Sequence, residues 1–291
     1  MNRPKSEGSS QVKALLLDVS RTLTQARIPE GRLEAELLLA HVLGVGRIGL
    51  FREPERVVEP QELSRLQGLV RERLSRRPIQ HLTETQEFWG RSFWTPPGVF
   101  IPRPETEGII EIVQESLPGG RPRRVLDLGC GSGCLSVTLA LLYPQAQILA
   151  IDLSQRALSV ARANARAHGA EEGISFIRSD LADSLGRTQD RQIDLIVSNP
   201  PYLADAERKD LEPEVSRHEP SEALFAGPCG TELIDRILAE TPRLCSGGGR
   251  MIMEIGSTQG PYVLKRSMAL KWKAAIRKDH FGKDRYACLS G

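Results

Sequence analysis

The chain has 291 residues, of which 40% are hydrophobic and 26% are charged, which excludes a disordered chain and predicts one large or two modest domains. Lysine and arginine number 39 against 37 aspartate and glutamate residues, so the net charge of +2 gives no global attraction to nucleic acid or to an anionic membrane. The five cysteines lack paired CxxC spacing and indicate neither a disulfide framework nor a zinc site, so we expect no bound metal.

No apolar run in the sequence approaches the roughly 18 residues that indicate a transmembrane helix. The first ten residues also lack the apolar region of a secretory signal peptide. We therefore expect a cytoplasmic protein that does not associate with a membrane.

Helical spacing dominates the first part of the chain. Between residues 11 and 76, apolar residues recur three or four positions apart, as in Leu33, Leu37 and Leu38. Proline and glycine residues divide this stretch into about three helices. We expect residues 1–85 to form a small helical domain.

The pattern then changes to aromatic and β-branched residues. Phe88 and Trp89 precede Gly90, and Phe93 and Trp94 follow it, which predicts a β-hairpin. We expect residues 86–102 to form a hairpin that links the helical domain to a second domain over residues 103–291.

From residue 123 onward, short apolar runs alternate with amphipathic segments. The runs that predict buried strands cover residues 125–128, 148–151, 174–177, 193–197 and 251–255. Helices are predicted to start near Gly133, Ser154, Thr231 and Ser257. Such alternation predicts an α/β fold with a doubly wound parallel sheet.

A glycine-rich loop follows the first of these strands and leads directly into a predicted helix. It runs from Asp127 through Gly129, Gly131 and Gly133. Glycines allow a tight turn and let a ligand lie against the main chain. Asp152 ends the next strand nineteen residues after Gly133, where a carboxylate can accept hydrogen bonds from both ribose hydroxyls of a nucleotide.

The glycine spacing bears on which nucleotide-containing cofactor binds. A dinucleotide fingerprint needs a small residue at its sixth position, where this chain has Cys134. A carboxylate at Asp127 would repel a pyrophosphate and would suit a ligand with an amino group and a sulfonium, so S-adenosylmethionine is favoured over a dinucleotide. The compact glycine pattern resembles motif I of class I methyltransferases. Asp180, after the third strand, is then placed to meet the adenine.

The fourth strand runs into the tetrapeptide Asn199-Pro200-Pro201-Tyr202. Because prolines lack an N–H group, the carbonyls around Asn199 and Pro200 are available to accept hydrogen bonds from a planar NH2 group. Two such bonds would aim the nitrogen lone pair at a methyl donor, and Tyr202 would pack against the planar group. We predict Asn199, Pro200 and Tyr202 as catalytic residues and no general base, since positioning and desolvation can supply most of the barrier reduction.

This tetrapeptide occurs both in DNA adenine methyltransferases and in protein glutamine methyltransferases, so by itself it leaves the substrate open. Residues 100–107 read FIPRPETE and closely resemble the IPRPETE signature of the PrmC/HemK family. The resemblance spans nearly the whole chain and includes the stretch Glu254-Ile255-Gly256 with Gln259. It departs from the family pattern at residues 80–85 and 226–231.

The resemblance implies a Rossmann-like class I methyltransferase fold and transfer of a methyl group from S-adenosyl-L-methionine to N5 of a glutamine. That glutamine would lie in the Gly-Gly-Gln (GGQ) loop of class I peptide chain release factors, whose remainder the helical domain would grip, and its methylation would modulate translation termination. The implied cofactor-binding residues are Asp127, Gly129, Gly131, Gly133, Asp152, Leu153, Asp180, Leu181 and Asn199. The implied substrate-binding residues are Pro102, Arg103, Glu105, Asn199, Pro200, Pro201 and Tyr202. We expect a monomer without stable nucleic-acid binding.

Three alternatives are open. A methyltransferase acting on glutamine of a ribosomal or other translation protein would share all of these motifs. A DNA adenine-N6 methyltransferase would need a basic target-recognition region, and no such block is present. A binding protein that had lost catalysis would have substitutions in the glycine-rich loop or in the tetrapeptide Asn199–Tyr202. Both motifs are intact in this sequence.

Overall fold

The computed structural model describes residues 10–117, 122–186 and 191–290. The contacts divide the chain into two compact units, the first comprising Met1–Thr85 with Pro213–His218, and the second Gln86–Glu212 with Glu219–Gly291. Nine of the ten opening residues, interpreted above as lacking a signal peptide, lie outside the described ranges.

The helices are α1 (Val12–Gln25), α2 (Gly31–Leu43), α3 (Arg47–Arg52), α4 (Pro60–Leu74), α5 (Ile79–Thr83), α6 (Glu107–Ser116), α7 (Cys134–Leu142), α8 (Gln155–Ala167), α9 (Pro213–His218), α10 (Glu232–Glu240) and α11 (Gly260–Ala269). The strands are β1 (Thr85–Phe88), β2 (Arg91–Trp94), β3 (Arg124–Leu128), β4 (Gln147–Asp152), β5 (Ile174–Arg178), β6 (Ile193–Ser198), β7 (Leu203–Ala204), β8 (Phe225–Gly227), β9 (Cys245–Glu254), β10 (Lys273–Lys278) and β11 (Asp284–Ser290).

The first unit is helical. Residues 11–76 form four helices rather than about three, and α5 follows this stretch. The additional helices α3 and α5 have only six and five residues, too few for a period of about 3.6 residues to be recognised in the sequence. The core encloses Leu23 of α1, Leu38 of α2 and Leu66 of α4, which are at most 1% exposed.

A buried network of ion pairs joins a distant segment to this unit. Arg73 in α4 is 3% exposed, and its guanidinium donates to both carboxylate oxygens of Glu34, at 2.5 and 3.2 Å. A third bond runs from Arg73 Nη1 to Glu214 Oε1 in α9, at 2.9 Å, and Arg76 pairs with the same oxygen at 3.3 Å. These pairs explain why Pro213–His218 belongs to the first unit, a feature that local sequence patterns do not indicate.

The second unit begins with the expected hairpin. Strands β1 and β2 pair through a two-residue turn in which Trp89 and Gly90 both have positive φ, 54° and 67°, as in a type I′ turn. Phe88 and Phe93 are fully buried and meet edge to face, with ring centroids 6.1 Å apart. Both side chains belong to the hydrophobic core of the second unit, so residues expected to link two domains pack as part of this one.

The main sheet of the second unit has seven strands within the described ranges, in the order β10-β11-β9-β6-β3-β4-β5. All neighbouring pairs from β9 to β5 are parallel. The register sets Leu128 of β3 opposite Ser198 of β6, and Ser198 opposite Met253 of β9. Consequently the loops that follow β3, β4, β6 and β9 emerge at one edge of the sheet. The five strands predicted from apolar runs all form.

The two last strands were not predicted. Strand β11 runs antiparallel to both of its neighbours, β9 and β10, so the sheet is mixed rather than purely parallel. Strand β10 lies at the sheet edge and carries Lys273, Arg277 and Lys278 on largely exposed positions. A charged edge strand is protected against pairing with other chains, but it lacks the apolar run by which a buried strand is recognised.

Helices cover both faces of the sheet. Successive strand residues point to opposite faces, so Val125 packs in a core with residues of α6, α7 and α8, whereas Leu126 packs in a second core with residues of α10 and α11. The sheet is therefore doubly wound, as the alternating pattern predicted. Across the described ranges, every helix is too short or too polar to cross a bilayer.

Candidate active site

A cavity of about 440 Å³ opens in the second unit at the carboxyl ends of the parallel strands. Strand order reverses beside β3, and such a switch point is where α/β sheets bind ligands. The volume is within the range of small-molecule sites. Its walls bring together eight residues predicted from the sequence: Gly129, Gly131, Asp152, Leu153, Asp180, Leu181, Asn199 and Pro201.

The other predicted residues do not line this cavity: Pro102, Arg103, Glu105, Asp127, Gly133, Pro200 and Tyr202. The cavity is also lined by residues that were not predicted, among them Val99, Gln155 and Glu222. They lie in loops or at a helix start, where neither hydrophobic period nor motif marks a residue as ligand-facing.

The three glycines of the loop have different surroundings. All have positive φ, 76° at Gly129, 55° at Gly131 and 81° at Gly133. A Cβ at Gly129 or Gly131 would meet no atom within 4 Å, whereas one at Gly133 would lie 2.9 Å from the Ala161 Cβ in α8. Gly129 and Gly131 therefore leave a bare main-chain surface at the cavity, while Gly133 allows α8 to pack closely.

We expect Gly133→Ala to lower the free energy of unfolding by about 2 to 4 kcal/mol, because overpacking adds to an unfavourable backbone conformation. The matched control is Gly169→Ala, at a similar φ of 69° with no atom within 4 Å of the added Cβ. Urea unfolding of both variants isolates the contact with Ala161. Equal losses in the two variants would contradict the packing role of Gly133.

Asp152 is bound from two sides by main-chain donors. The Gly131 N–H donates to Oδ2 and the Ser154 N–H donates to Oδ1, both at 2.8 Å. Burial raises the pKa of Asp152, and these two hydrogen bonds counteract that effect. The carboxylate is thereby held at the end of β4 with further lone pairs available to accept hydroxyl donors.

Asp127 is fully buried at the end of β3. Its Oδ2 accepts the Ser136 hydroxyl at 2.5 Å, and its Oδ1 has no hydrogen-bond partner among the described residues. Burial raises the pKa of Asp127 to about 7. No cation of the described chain pairs with this carboxylate, so a cationic ligand in the neighbouring cavity would stabilise its ionised form.

Asp180 differs from Asp152 in exposure and in partner. Arg236 donates to both of its carboxylate oxygens, at 3.0 and 3.1 Å. The side chain of Asp180 is 48% exposed. The cavity is also lined by Leu181 and by Leu153, which is 56% exposed, so its wall here combines apolar side chains with the Asp180 carboxylate.

The amide of Asn199 has a defined orientation. Its Nδ2 donates to the Thr106 hydroxyl at 2.9 Å, which leaves the Oδ1 oxygen, the acceptor of the side chain, without a donor among the described residues. Pro201, which follows the buried Pro200, cannot donate an N–H bond. The loop therefore presents acceptors at the cavity.

Tyr202 is fixed at both its ends. Its hydroxyl donates to Glu254 Oε1 at 3.2 Å, and its carbonyl accepts from Gln259 Nε2 at 2.8 Å. Burial raises the pKa of Tyr202 above its ordinary value, so the phenol keeps its proton. Gly230 lies against the same backbone, since a Cβ there would be 2.7 Å from the Tyr202 carbonyl oxygen.

Glu254 is a buried carboxylate that contacts two residues beside the cavity and that was not among the predicted site residues. It ends β9, is 1% exposed, and accepts the Thr106 hydroxyl at 2.8 Å as well as the Tyr202 hydroxyl. Burial raises its pKa to about 7. The sequence could have indicated Glu254 because it is a carboxylate within an otherwise apolar run. An acidic residue is seldom fully buried unless it is paired with other groups.

Residues 102–105 lie beside this cluster. Pro102 is buried, and Arg103 pairs with the buried Glu219 and lies over the Phe100 ring, 4.9 Å from its centroid. The Glu105 carbonyl accepts the Tyr286 hydroxyl at 2.6 Å. These contacts hold the segment Phe100–Thr106 against the second unit, with Phe100 in the cavity wall.

Two family models match the chain. Residues 14–83 match the PrmC N-terminal domain, and residues 90–216 match the methyltransferase small domain. Among solved structures, the hMettl16 catalytic domain has a TM-score of 0.56 at 18% identity, over 81% of this chain and 84% of that one. A methyltransferase from Pyrococcus furiosus has a TM-score of 0.51 at 14% identity, over 70% and 89%. These two likenesses show the class I methyltransferase fold.

Curated relatives match most of the chain. The release factor glutamine methyltransferase of Nitratidesulfovibrio vulgaris is 37% identical over 97% of this chain and 96% of its own length. The protein of the same name from Deinococcus radiodurans is 35% identical over 95% and 97%, and that from Chlorobaculum tepidum is 41% identical over 84% and 85%. With the cavity, the glycine loop and the Asn199 loop in place, the chain belongs to the family of release factor glutamine methyltransferases.

Proposed function

We propose that this protein transfers a methyl group from S-adenosylmethionine to the N5 amide nitrogen of the glutamine in the GGQ loop of class I release factors. The observation that carries the proposal is the orientation of Asn199, whose Nδ2 is bound to Thr106. This bond leaves the Oδ1 oxygen available to accept from a substrate amide, and Asn199 lines the same cavity as Asp152 and the glycine loop.

S-adenosylmethionine is the methyl donor, and the residues at the cavity fit it. Gly129 and Gly131 offer main chain that a Cβ would cover, and Asp152 offers carboxylate oxygens suited to ribose hydroxyls. The buried Asp127, with its unpartnered oxygen, suits the positive charge of the cofactor's methionine part. The bound cofactor supplies a methyl group on a sulfonium, which is activated for transfer without an acid.

The glutamine amide is a planar group with two N–H donors and a delocalised lone pair. Hydrogen bonds to Asn199 Oδ1 and to the Pro200 carbonyl would hold both N–H groups and turn the nitrogen toward the methyl carbon. The N–C bond would form as the C–S bond breaks with its electron pair left on the sulfur, which gives S-adenosylhomocysteine, and the methylated amide nitrogen would lose one proton to solvent. The loop residues contribute orientation and exclusion of water, and the reaction requires no side-chain base.

Mass spectrometry of a purified, unmethylated class I release factor tests this function. After incubation with the protein and S-adenosylmethionine, we expect one added methyl group, located by peptide fragmentation on the GGQ glutamine. The matched control is the same release factor with that glutamine replaced by glutamate. No methylation, with cofactor binding confirmed, would move the assignment to a ribosomal or other translation protein as substrate.

We further propose that residues 1–85 bind the release factor outside its GGQ loop. We also propose that the protein acts in the cytoplasm, where translation factors act. A monomeric state and the lack of stable nucleic-acid binding stay predictions.

A further inference from the structure

A chain of hydrogen bonds connects the Asn199 loop to the buried end of β9. Asn199 Nδ2 donates to Thr106 Oγ1 at 2.9 Å, and the Thr106 hydroxyl donates to Glu254 Oε2 at 2.8 Å. The other oxygen of Glu254 accepts the Tyr202 hydroxyl at 3.2 Å. The buried Glu254 carboxylate is therefore hydrogen-bonded to Tyr202 directly and to Asn199 through Thr106.

The direction of this chain follows from what each group can do. An ionised carboxylate only accepts hydrogen bonds, so the single Thr106 proton must point toward Glu254. The Thr106 oxygen can then only accept from Asn199, which selects Nδ2 as the atom that faces it. The Asn199 Oδ1 atom is consequently the one left for the substrate.

A neutral group at position 254 would remove this selection. A protonated carboxyl can donate to Thr106, and Thr106 can then donate to Asn199 Oδ1. The amide of Asn199 would turn over and present Nδ2, a donor, to the two N–H donors of the glutamine. Such an arrangement repels the substrate amide instead of holding it.

We propose that Glu254 is a positioning residue that, through Thr106, fixes the Asn199 amide with its acceptor oxygen toward the methyl-accepting nitrogen. This inference rests on the proposed function. Glu254 does not line the cavity, and its effect on transfer is exerted through Thr106 and Asn199.

Burial, together with the groups around Glu254, sets the pKa of its carboxyl. Burial raises its pKa to about 7, while Thr106, Arg285 and Tyr202 lower it and Glu105 raises it further. Tyr286 on β11 also faces Glu254 and keeps its proton, because burial raises its own pKa. As the pH falls through about 7, Glu254 becomes protonated, and kcat should fall with it.

The test compares Thr106→Val, Thr106→Ser and Glu254→Gln with the wild type, using the release factor as substrate. We expect Thr106→Val to lower kcat about 10- to 100-fold, the cost of a misplaced reacting group, with the KM for the release factor and the Kd for S-adenosylmethionine unchanged. Thr106→Ser keeps the hydroxyl and should restore kcat. A loss of packing alone would not be rescued in this way.

The pH profile provides the second readout. The wild type should lose kcat below pH 7 or so, and Glu254→Gln should have a lower kcat that no longer changes over this range. Asp127→Asn is the comparison, since its carboxyl also has a pKa of about 7 but lies at the cofactor side. Whatever its effect on the rate, the acid limb of kcat at saturating cofactor should persist in that variant.

Three outcomes are decisive. A wild-type kcat in Thr106→Val, or an acid limb that persists in Glu254→Gln, overturns the positioning role and leaves the proposed function standing. Absence of glutamine methylation by the wild type overturns the proposed function, and the positioning role with it. The positioning role of Glu254 is established if three results are obtained together. Thr106→Val lowers kcat, Thr106→Ser restores it, and the acid limb of the kcat profile is absent in Glu254→Gln.

Discussion

Replacing Asn199 with alanine should lower kcat by roughly 30- to 1000-fold, equivalent to about 2 to 4 kcal/mol in the transition state, by analogy with loss of one oxyanion-hole hydrogen bond. The Asn199 side chain supplies an oriented acceptor, and alanine supplies none. A nearby water molecule would replace the bond poorly, since it must be ordered first. Methyl transfer to the release factor under saturating cofactor measures the effect.

Two further observations separate this role from general damage. The Kd of Asn199→Ala for S-adenosylmethionine should change far less than kcat, since Asn199 is one of several residues that line the cofactor cavity. Asn199→Asp keeps an acceptor oxygen but cannot donate to Thr106, so its kcat should fall between those of the wild type and the alanine variant. A rate near wild type in Asn199→Ala would show that the amide nitrogen is held by other groups.

Replacing Asp152 with alanine should weaken binding of S-adenosylmethionine by about 10- to 150-fold, which corresponds to the 1.5 to 3 kcal/mol of a hydrogen bond to a charged group. The variant loses the acceptor for the ribose hydroxyls. It also loses the carboxylate that accepts hydrogen bonds from the Gly131 and Ser154 N–H groups. Titration calorimetry gives the Kd, while kcat at saturating cofactor should change far less.

Asp180→Ala is the comparison for this experiment. Asp180 also lines the cavity, but its carboxylate is partly exposed and is already bound by both Arg236 contacts. We expect a smaller rise in Kd there. If Asp180→Ala weakened cofactor binding more than Asp152→Ala, the assignment of the ribose to Asp152 would be wrong.

The parts of the site that lie within one motif could be predicted from the sequence. The glycine loop, Asp152 and the Asn199 loop each follow a buried parallel strand, and the carboxyl ends of parallel strands share a sheet edge. Their meeting at one cavity follows from strand order alone. The structure confirms this fold, including every strand that was predicted from an apolar run.

The contacts that orient those motifs could not be predicted in the same way. Thr106 lies 93 positions from Asn199 and 148 from Glu254, and no periodicity or spacing connects residues so far apart. The glycines illustrate the same limit within a single loop. Gly133 resembles Gly129 and Gly131 in the sequence, yet only the position of α8 shows that it serves packing.

The ion pairs of Arg73 have a consequence for the order in which the protein can fold on the ribosome. The helices of the first unit are synthesised early, but Glu214 follows Arg73 by 141 positions. At about 5 to 20 residues per second, this gap corresponds to roughly 7 to 28 s of elongation. During that time the first unit lacks α9, and it reaches its final form only after most of the parallel sheet has been synthesised.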